Sequence, residues 1–266
     1  MSPILSILIC TINDRIKDVP RMLLEERDDV TYIVSFQYTD NMFLDMVPDM
    51  LRTRKDVEII SHPTVGLSRN RNTALGACHT ALALIADDDA HYTNSQIDTI
   101  IRVFDENPSV DVACFQAVYE DGTPLKDYPS YDFPYRQTPR GYYYSSIELA
   151  LRTDTQLPTF DTRFGLGAPY LSCGEEEVFL YHAQCAGLNV HYFPYVTAST
   201  RQGVTTGQRF STDVRVRRSK GAVLYVVYGL FRGYLRICKT ALTQGSHRLQ
   251  AYRDMMDGLK YIMRTE

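Results

Sequence analysis

Residues 81–89 read ALALIADDD, six consecutive small or branched apolar residues running straight into three aspartates. A strand exposed on one face alternates apolar and polar positions, so a strand apolar at every position is covered on both faces, as in a parallel sheet flanked by helices. Comparable apolar runs at 4–10, 31–35, 57–60 and 110–118 alternate with helix-like stretches at 19–26, 68–79 and 94–104. That βαβ rhythm predicts an α/β fold whose ligands bind just past the carboxyl ends of the strands. The 266 residues, 44% of them hydrophobic, suffice for one such core with an appendage.

A formal net charge of -4 gives no global attraction to nucleic acid, so an anionic ligand has to be held by local cations. The six cysteines show neither a CxxC pair nor zinc-like Cys/His spacing and are expected to be buried free thiols. The opening MSPILSILICTIND lacks a basic segment and reads as a first strand rather than a signal peptide, which predicts a cytoplasmic protein. No apolar run reaches the roughly 18 residues of a membrane-spanning helix.

Between 120 and 146 the rhythm breaks into a stretch rich in Tyr, Pro and Asp, expected as loops near the site. A helix is expected at 174–186, stopped by Gly187, and a strand at 188–193 ending before Pro194. The core is expected to close near residue 205, dividing the chain into a catalytic domain, 1–205, and a C-terminal helical region, 206–266. Within the latter, residues 214–239 carry Arg215, Arg217, Arg218, Lys220, Arg232, Arg236 and Lys239 and no acidic residue, at amphipathic helical spacing. Such a helix suits peripheral contact with an anionic membrane surface; packing on the core or a homo-oligomer interface are its other uses.

If the strand stays extended beyond residue 86, Asp87 and Asp89 point to one side and Asp88 to the other. Two converging carboxylates hold Mg2+ or Mn2+ together with substrate phosphates. An Asp-rich turn capping the next helix is the plainer alternative. Gly66 to Asn72 open a helix with Ser68 as a possible N-cap, and a helix N-terminus beside an arginine suits a diphosphate.

Four segments in order, SILICTINDRI, GLSRNRNTAL, LIADDDAHY and FDTRFGLGAPYLSCGEEEVFL, resemble family 2 glycosyltransferases of the GT-A (nucleotide-diphospho-sugar transferase) fold, most closely the bacterial polysaccharide or capsule type. The resemblance spans about 3–200 and implies a Rossmann-like, mostly parallel sheet flanked by helices. It implies a metal-dependent inverting transfer from a nucleotide-sugar, with UDP as the expected carrier, to a glycan or lipid-linked acceptor. The triplet matches the family's DxD motif, with Asp87 and Asp89 as metal ligands and Asp87 and Asp88 facing the donor. Arg71 falls, with Asn72, at the family's nucleotide-contacting RN pair. Thr11, Asn13, Asp14 and Arg15 follow the first strand, where base and ribose contacts lie. Ser35 stands where the family often has an acidic base-binding residue, a departure that predicts unusual base recognition, and Asp40 ends that segment.

Glu175, Glu176 and Glu177 match the GED or GEE signature. The resemblance makes Glu176 the general base and Glu175 second choice, although acidic residues also favour a first helical turn without any catalytic role. Tyrosines of 128–144 are expected either to stack on sugars or to pack on the sheet, and His91 to assist the metal or to serve structurally. A nucleotidyltransferase and a catalytically silent sugar-nucleotide-binding protein are the alternative readings. A dehydrogenase is disfavoured because CTINDRI lacks the glycine fingerprint.

Overall fold

The computed structural model describes residues 3–201 and 206–265, so the expected boundary at residue 205 lies outside the described residues. In chain order the elements are β1 (Leu5–Ile12), β2 (Val30–Gln37), α1 (Asp49–Thr53), β3 (Val57–His62), α2 (Leu67–Gly76), β4 (Leu82–Asp87), β5 (Ala90–His91), α3 (Asn94–Glu106), β6 (Val112–Tyr119), β7 (Phe133–Pro134), β8 (Leu149–Arg152), α4 (Glu175–Cys185), β9 (Val190–Thr200), α5 (Val214–Leu242) and α6 (Arg248–Thr265). Two compact units result. One is drawn from Met1–Val65, Arg69–Thr159 and His182–Gln202, the other from Gly66–Ser68, Phe160–Tyr181 and Gly203–Glu266.

The first unit contains the mixed, mostly parallel sheet expected of the GT-A fold, ordered β3-β2-β1-β4-β8-β6-β9-β5, with β7 on β9. β1 pairs in parallel with both β2 and β4, and Cys10 lies opposite Asp87. The chain leaves β1 toward β2 and β3, then returns to β4 on the other side, so the strand order reverses between β1 and β4. A crevice opens at such a reversal, outside the strands' carboxyl ends. The apolar run of β4 is buried from Leu82 to Ala86, as a doubly covered strand requires.

Helix α3 shows how local sequence positions a cover element. Thr93 accepts from the Gln96 amide while the Gln96 side chain accepts from the Thr93 N–H, a capping box worth about 1 kcal/mol. Its Ile97, Ile100, Val103 and Phe104 recur at helical spacing and are buried in the core with Leu84 and Phe115. Truncating Ile100 to Ala would cost about 3 kcal/mol.

Two sequence expectations need correction. Instead of a helix at 19–26 there is one 3-10 turn at Val19–Met22. Tertiary partners take the backbone groups a helix would have used: Leu24 N–H donates to the Tyr32 hydroxyl at 3.0 Å, and Leu24 C=O accepts from Arg54 at 2.7 Å. The strand expected to stop before Pro194 instead continues as β9 to Thr200. The β6–β9 register slips on either side of Gln116, with Cys114 opposite Tyr192 and Gln116 opposite Val196. Proline is tolerated at such an irregularity, where no ladder N–H is needed.

In the second unit α5 and α6 pack backbone to backbone. A Cβ at Gly221 would lie 1.9 Å from the Met255 carbonyl oxygen, and one at Gly258 would lie 1.8 Å from that of Arg218. Ala222, Val223 and Ile262 pack with Phe164, Leu171 and Val178. No helix among the described residues is long and apolar enough to cross a membrane.

Candidate functional site

The acidic triplet stands at the carboxyl end of β4, beside the point where the strand order reverses. β4 ends at Asp87, and Asp88 and Asp89 form a turn into β5, so the extended backbone assumed for the triplet stops one residue in. The three carboxylates consequently have different surroundings. Asp88 is buried, accepting from Thr11 Oγ1 at 2.8 Å and from the Arg15 guanidinium through both oxygens. Burial pushes its pKa up to about 6 against the pull of Arg15 and Thr11, which leaves it ionised and paired at neutral pH. Asp88 thereby ties the loop after β1 to the turn after β4.

Asp87 is oriented from two sides. Its Oδ1 accepts from Arg71 Nη2 at 3.0 Å, and its Oδ2 accepts from Ser146 Oγ at 3.0 Å. Arg71 is only 1% exposed, so α2 is directed into the fold at this residue. Asn70 beside it donates to the Thr11 carbonyl at 3.1 Å, holding α2 to the end of β1. Asp89 is partly exposed, and its pKa is raised by burial and then by the charge of Asp87.

The donor set of Asp87 and Asp89 fits a small hard cation. Such ions take one or two carboxylates and complete their shell with phosphate and water oxygens, and a cation would relieve the repulsion between these two groups. Each oxygen of Asp87 accepts one hydrogen bond and keeps a further lone pair. Among the described residues no three His, Cys, Asp or Glu side chains are arranged to hold a metal by themselves, so ligand oxygens are needed to complete the shell.

The remaining predicted donor residues lie at the same end of the sheet. Asn13 follows β1 in a left-handed conformation (φ 54), and its Oδ1 accepts from the Thr39 N–H at 2.9 Å. A non-glycine residue held there marks a backbone kept in place by its surroundings. Asp14 and Arg15 are exposed beside it. Ser35 is fully buried, and its hydroxyl meets His62 Nε2 at 3.0 Å, so the group offered to solvent at this point is the half-buried His62. Asp40 caps the turn at Asn41–Met46 by accepting from the Met42 N–H. His91 faces Glu120 at 3.5 Å.

The tyrosine-rich stretch mostly packs inward. Phe133 stacks on Tyr192 at 4.6 Å, and Tyr142 and Tyr144 meet edge to face at 5.0 Å. Tyr131 and Tyr143 remain exposed. This stretch contains the groups the sequence analysis missed. Lys126 meets the buried Glu148 at 2.9 Å, Tyr128 donates to Glu148 at 2.7 Å, and Glu148 caps the turn at Ser146–Glu148 that presents Ser146 to Asp87. No local pattern signals a contact between residues 59 positions apart.

In the second unit two of the four segments meet. Helix α2 begins at Leu67, so Ser68 is inside the helix rather than its N-cap, and its hydroxyl donates to the Phe164 carbonyl at 2.7 Å. The Leu67 N–H donates to the Leu166 carbonyl at 2.8 Å, which removes one of the donors expected to face a diphosphate. Gly165 (φ 101) lies so close that an added Cβ would sit 3.0 Å from Ser68 Oγ and 3.1 Å from Glu175 Cδ. Glu175, Glu176 and Glu177 form the first turn of α4. Glu175 is buried and Glu176 half exposed, and Glu177 lies 3.8 Å from Lys220. The cysteines are all free, with Cys10 and Cys114 buried as expected and Cys185 exposed.

The family model described as Glycosyl transferase family 2 matches residues 6–164. No curated protein sequence gives a significant match. Among solved structures the chain is similar to S. aureus TarS 1-349, at 13% identity and a TM-score of 0.61 over 99% of this chain and 92% of that one. The same TarS fragment in complex with UDP-GlcNAc aligns at 13% identity and a TM-score of 0.60, over 95% and 79% of the two chains. A longer S. aureus TarS structure aligns at 16% identity and a TM-score of 0.59, covering 92% of this chain but 43% of that one.

Proposed function

The chain belongs to glycosyl transferase family 2, and from that premise we propose that it moves a hexose from a UDP-sugar to a hydroxyl of a glycan or lipid-linked acceptor in polysaccharide assembly, inverting the anomeric carbon. The observation that carries the donor assignment is the cluster at the strand-order reversal between β1 and β4, where Asp87 and Asp89 stand beside Arg71, Arg15 and the left-handed Asn13. The solved complex of TarS with UDP-GlcNAc supports UDP as the carrier.

In this reading Asn13, Asp14 and Arg15 line the nucleoside, with the base approaching the position of Ser35 and His62. Asp88 holds that loop in place, and Arg71 orients Asp87. Asp87 and Asp89 would hold Mn2+ or Mg2+, which supplies positive charge for the departing diphosphate. Glu176, partly exposed in the first turn of α4, takes the proton from the acceptor hydroxyl. The acceptor oxygen then bonds to the anomeric carbon while the bond from that carbon to the phosphate oxygen breaks. The catalytic domain is assigned to 1–205, of which the family match covers 6–164, and the helical region to 206–266. Free cysteines support a reducing compartment, the cytoplasm.

Calorimetric titration with UDP, with and without manganese, on the wild type and on Asp89→Ala tests the donor site. Manganese-dependent binding lost in the variant is expected, and failure of UDP, GDP, CDP and TDP alike to bind would overturn the assignment.

A further inference from the structure

The second unit uses its basic residues unequally. Helix α5 is interrupted at Gly229, whose backbone (φ 71, ψ 177) is not helical and separates a stretch ending at Tyr228 from one beginning at Leu230. In the first stretch the cations are engaged at home. Arg217 Nε donates to Asp254 at 2.6 Å, Arg215 donates to the Ala168 carbonyl, Arg218 lies over the Tyr170 ring at 4.4 Å, and Lys220 faces Glu177. The side chains that follow them, Ala222, Val223 and Leu224, are buried.

Beyond Gly229 the pattern reverses. Only Gly233, Ile237 and Ala241 turn inward, while Leu230, Leu235 and Leu242 are exposed and Phe231 is 75% exposed. Interleaved with them are Arg232, Arg236 and Lys239, which have no carboxylate partner among the described residues. Arg236 instead lies over the Tyr228 ring at 3.7 Å. No Asp or Glu occurs between Asp213 and Asp254, although the whole chain carries a net charge of -4.

We propose that the second stretch of α5 docks on an anionic lipid bilayer, with Leu230, Phe231 and Leu235 entering the interface and Arg232, Arg236 and Lys239 meeting lipid phosphates. Two observations select this occupant. A bulky apolar group as exposed as Phe231 calls for an apolar phase, and the uncompensated cations beside it call for negative charge; an anionic bilayer offers both at one depth. A second copy meeting this face with its own would instead set arginine against arginine, and like charges at close range oppose association. The break at Gly229 redirects the chain so that Gly233 packs on Leu224 and Ile237 and Ala241 join Met255 and Leu259, which leaves the opposite face of the second stretch, with Phe231 and Leu235, outward. The inference draws only on this surface and is independent of the donor assignment.

The chain contains no tryptophan, so Phe231→Trp installs a single reporter. With the full chain and phosphatidylcholine vesicles containing phosphatidylglycerol, its emission shifts to the blue and the protein co-sediments, less so as salt rises. Arg232→Gln, Arg236→Gln and Lys239→Gln combined weaken vesicle partitioning about a hundredfold, since each cation contributes about fivefold near an anionic surface. Phe231→Ser with Leu235→Ser abolishes it without lowering the thermal midpoint. Equal binding to pure phosphatidylcholine overturns the proposal, as does an unshifted emission on anionic vesicles. So does a wild-type dimer in sedimentation velocity that Phe231→Ser with Leu235→Ser dissociates and that binds no vesicles, which would assign the face to a second copy. UDP binding, titrated without vesicles, reads the donor site separately.

Discussion

Arg71 reaches Asp87 from inside the fold, Nη2 to Oδ1 at 3.0 Å, with the guanidinium 1% exposed and the carboxylate 34% exposed. The pair is therefore buried on the cationic side only, and the arginine acts as a fixed support that presents a carboxylate to the crevice. Arg71→Met keeps the volume and removes the charge. It should cost about 2 kcal/mol in urea unfolding, below the value for a pair buried on both sides because solvent still reaches Asp87. UDP affinity in the presence of manganese should fall at least about tenfold, and Arg71→Lys should not restore it because one ammonium cannot reproduce the guanidinium fork. Unchanged UDP affinity in Arg71→Met would show that Asp87 needs no such support.

Adjacent aspartates are expected to fail differently. Asp88 is buried against Thr11 and Arg15, whereas Asp89 is partly exposed with its pKa raised by burial and by Asp87. Asp88→Asn should lower stability by about 1–2 kcal/mol, discounted because Arg15 is half exposed, and should retain manganese-stimulated UDP binding at reduced affinity. Asp89→Asn should leave the thermal midpoint nearly unchanged and remove the manganese effect. Titrations and melting curves on both variants check this. If the two traded places, the third aspartate would be the structural one.

The parts of this protein that local pattern encodes were legible. Consecutive apolar residues at 81–86 announce a doubly covered strand, because that signal lies in residues adjacent in sequence. What long-range partners decide was not. The stretch at 19–26 has helical spacing but gives its Leu24 amide to Tyr32 and its carbonyl to Arg54. Arg71 is placed by its motif at the family's nucleotide-contacting pair, and only tertiary packing shows it directed at Asp87. Ser146, Lys126 and Glu148 sit in a stretch whose periodicity is blank, so their convergence on the triplet had no local signal. Ser35 was singled out by position, yet its burial behind His62 is visible only once β2 and β3 are paired.

His62 supplies a pH dependence with a definite sign. Burial, and then the charge of Arg69, hold its pKa below the ordinary 6.5, opposed by a hydrogen bond with Asn70. The folded chain therefore binds fewer protons at this site than the unfolded chain between the folded pKa and 6.5. Its contribution to stability is full above 6.5 and is lost as pH falls through the folded value. Urea midpoints of wild type and His62→Gln, compared from neutral to mildly acidic pH, should converge as pH falls. A constant difference across that range would mean that His62 titrates alike in both states.

The two candidate bases in α4 separate by burial. Glu175 is buried against Gly165, and Glu176 is half exposed in the same turn. Glu176→Gln should reduce kcat by about a hundredfold or more and leave the donor KM unchanged, as loss of a general base does. Glu175→Gln should act mainly on stability, with kcat falling in proportion to folded protein. A pH–rate profile that keeps its acidic limb in Glu176→Gln and loses it in Glu175→Gln would reverse the assignment.

Lys126 and Glu148 make the strongest case that a group remote from the triplet controls it. Glu148 is fully buried and Lys126 only 6% exposed, and the carboxylate also accepts from Tyr128 and from the Ser145 N–H. Lys126 in turn lies 4.2 Å from the centre of the Tyr143 ring. Burial raises the Glu148 pKa, and Lys126 is the largest influence opposing that rise. Lys126→Met strands a buried carboxylate and should cost about 3–5 kcal/mol, whereas Lys126→Met with Glu148→Gln removes both charges and should recover most of it. The functional readout is distinct from the stability readout. Because Glu148 caps the turn that sets Ser146 on Asp87, the single variant should weaken manganese-dependent UDP binding even where it is fully folded, and Ser146→Ala should reproduce that loss with little change in stability. If Ser146→Ala binds UDP like the wild type, the Lys126–Glu148 pair secures the tyrosine-rich stretch and has no bearing on the aspartates.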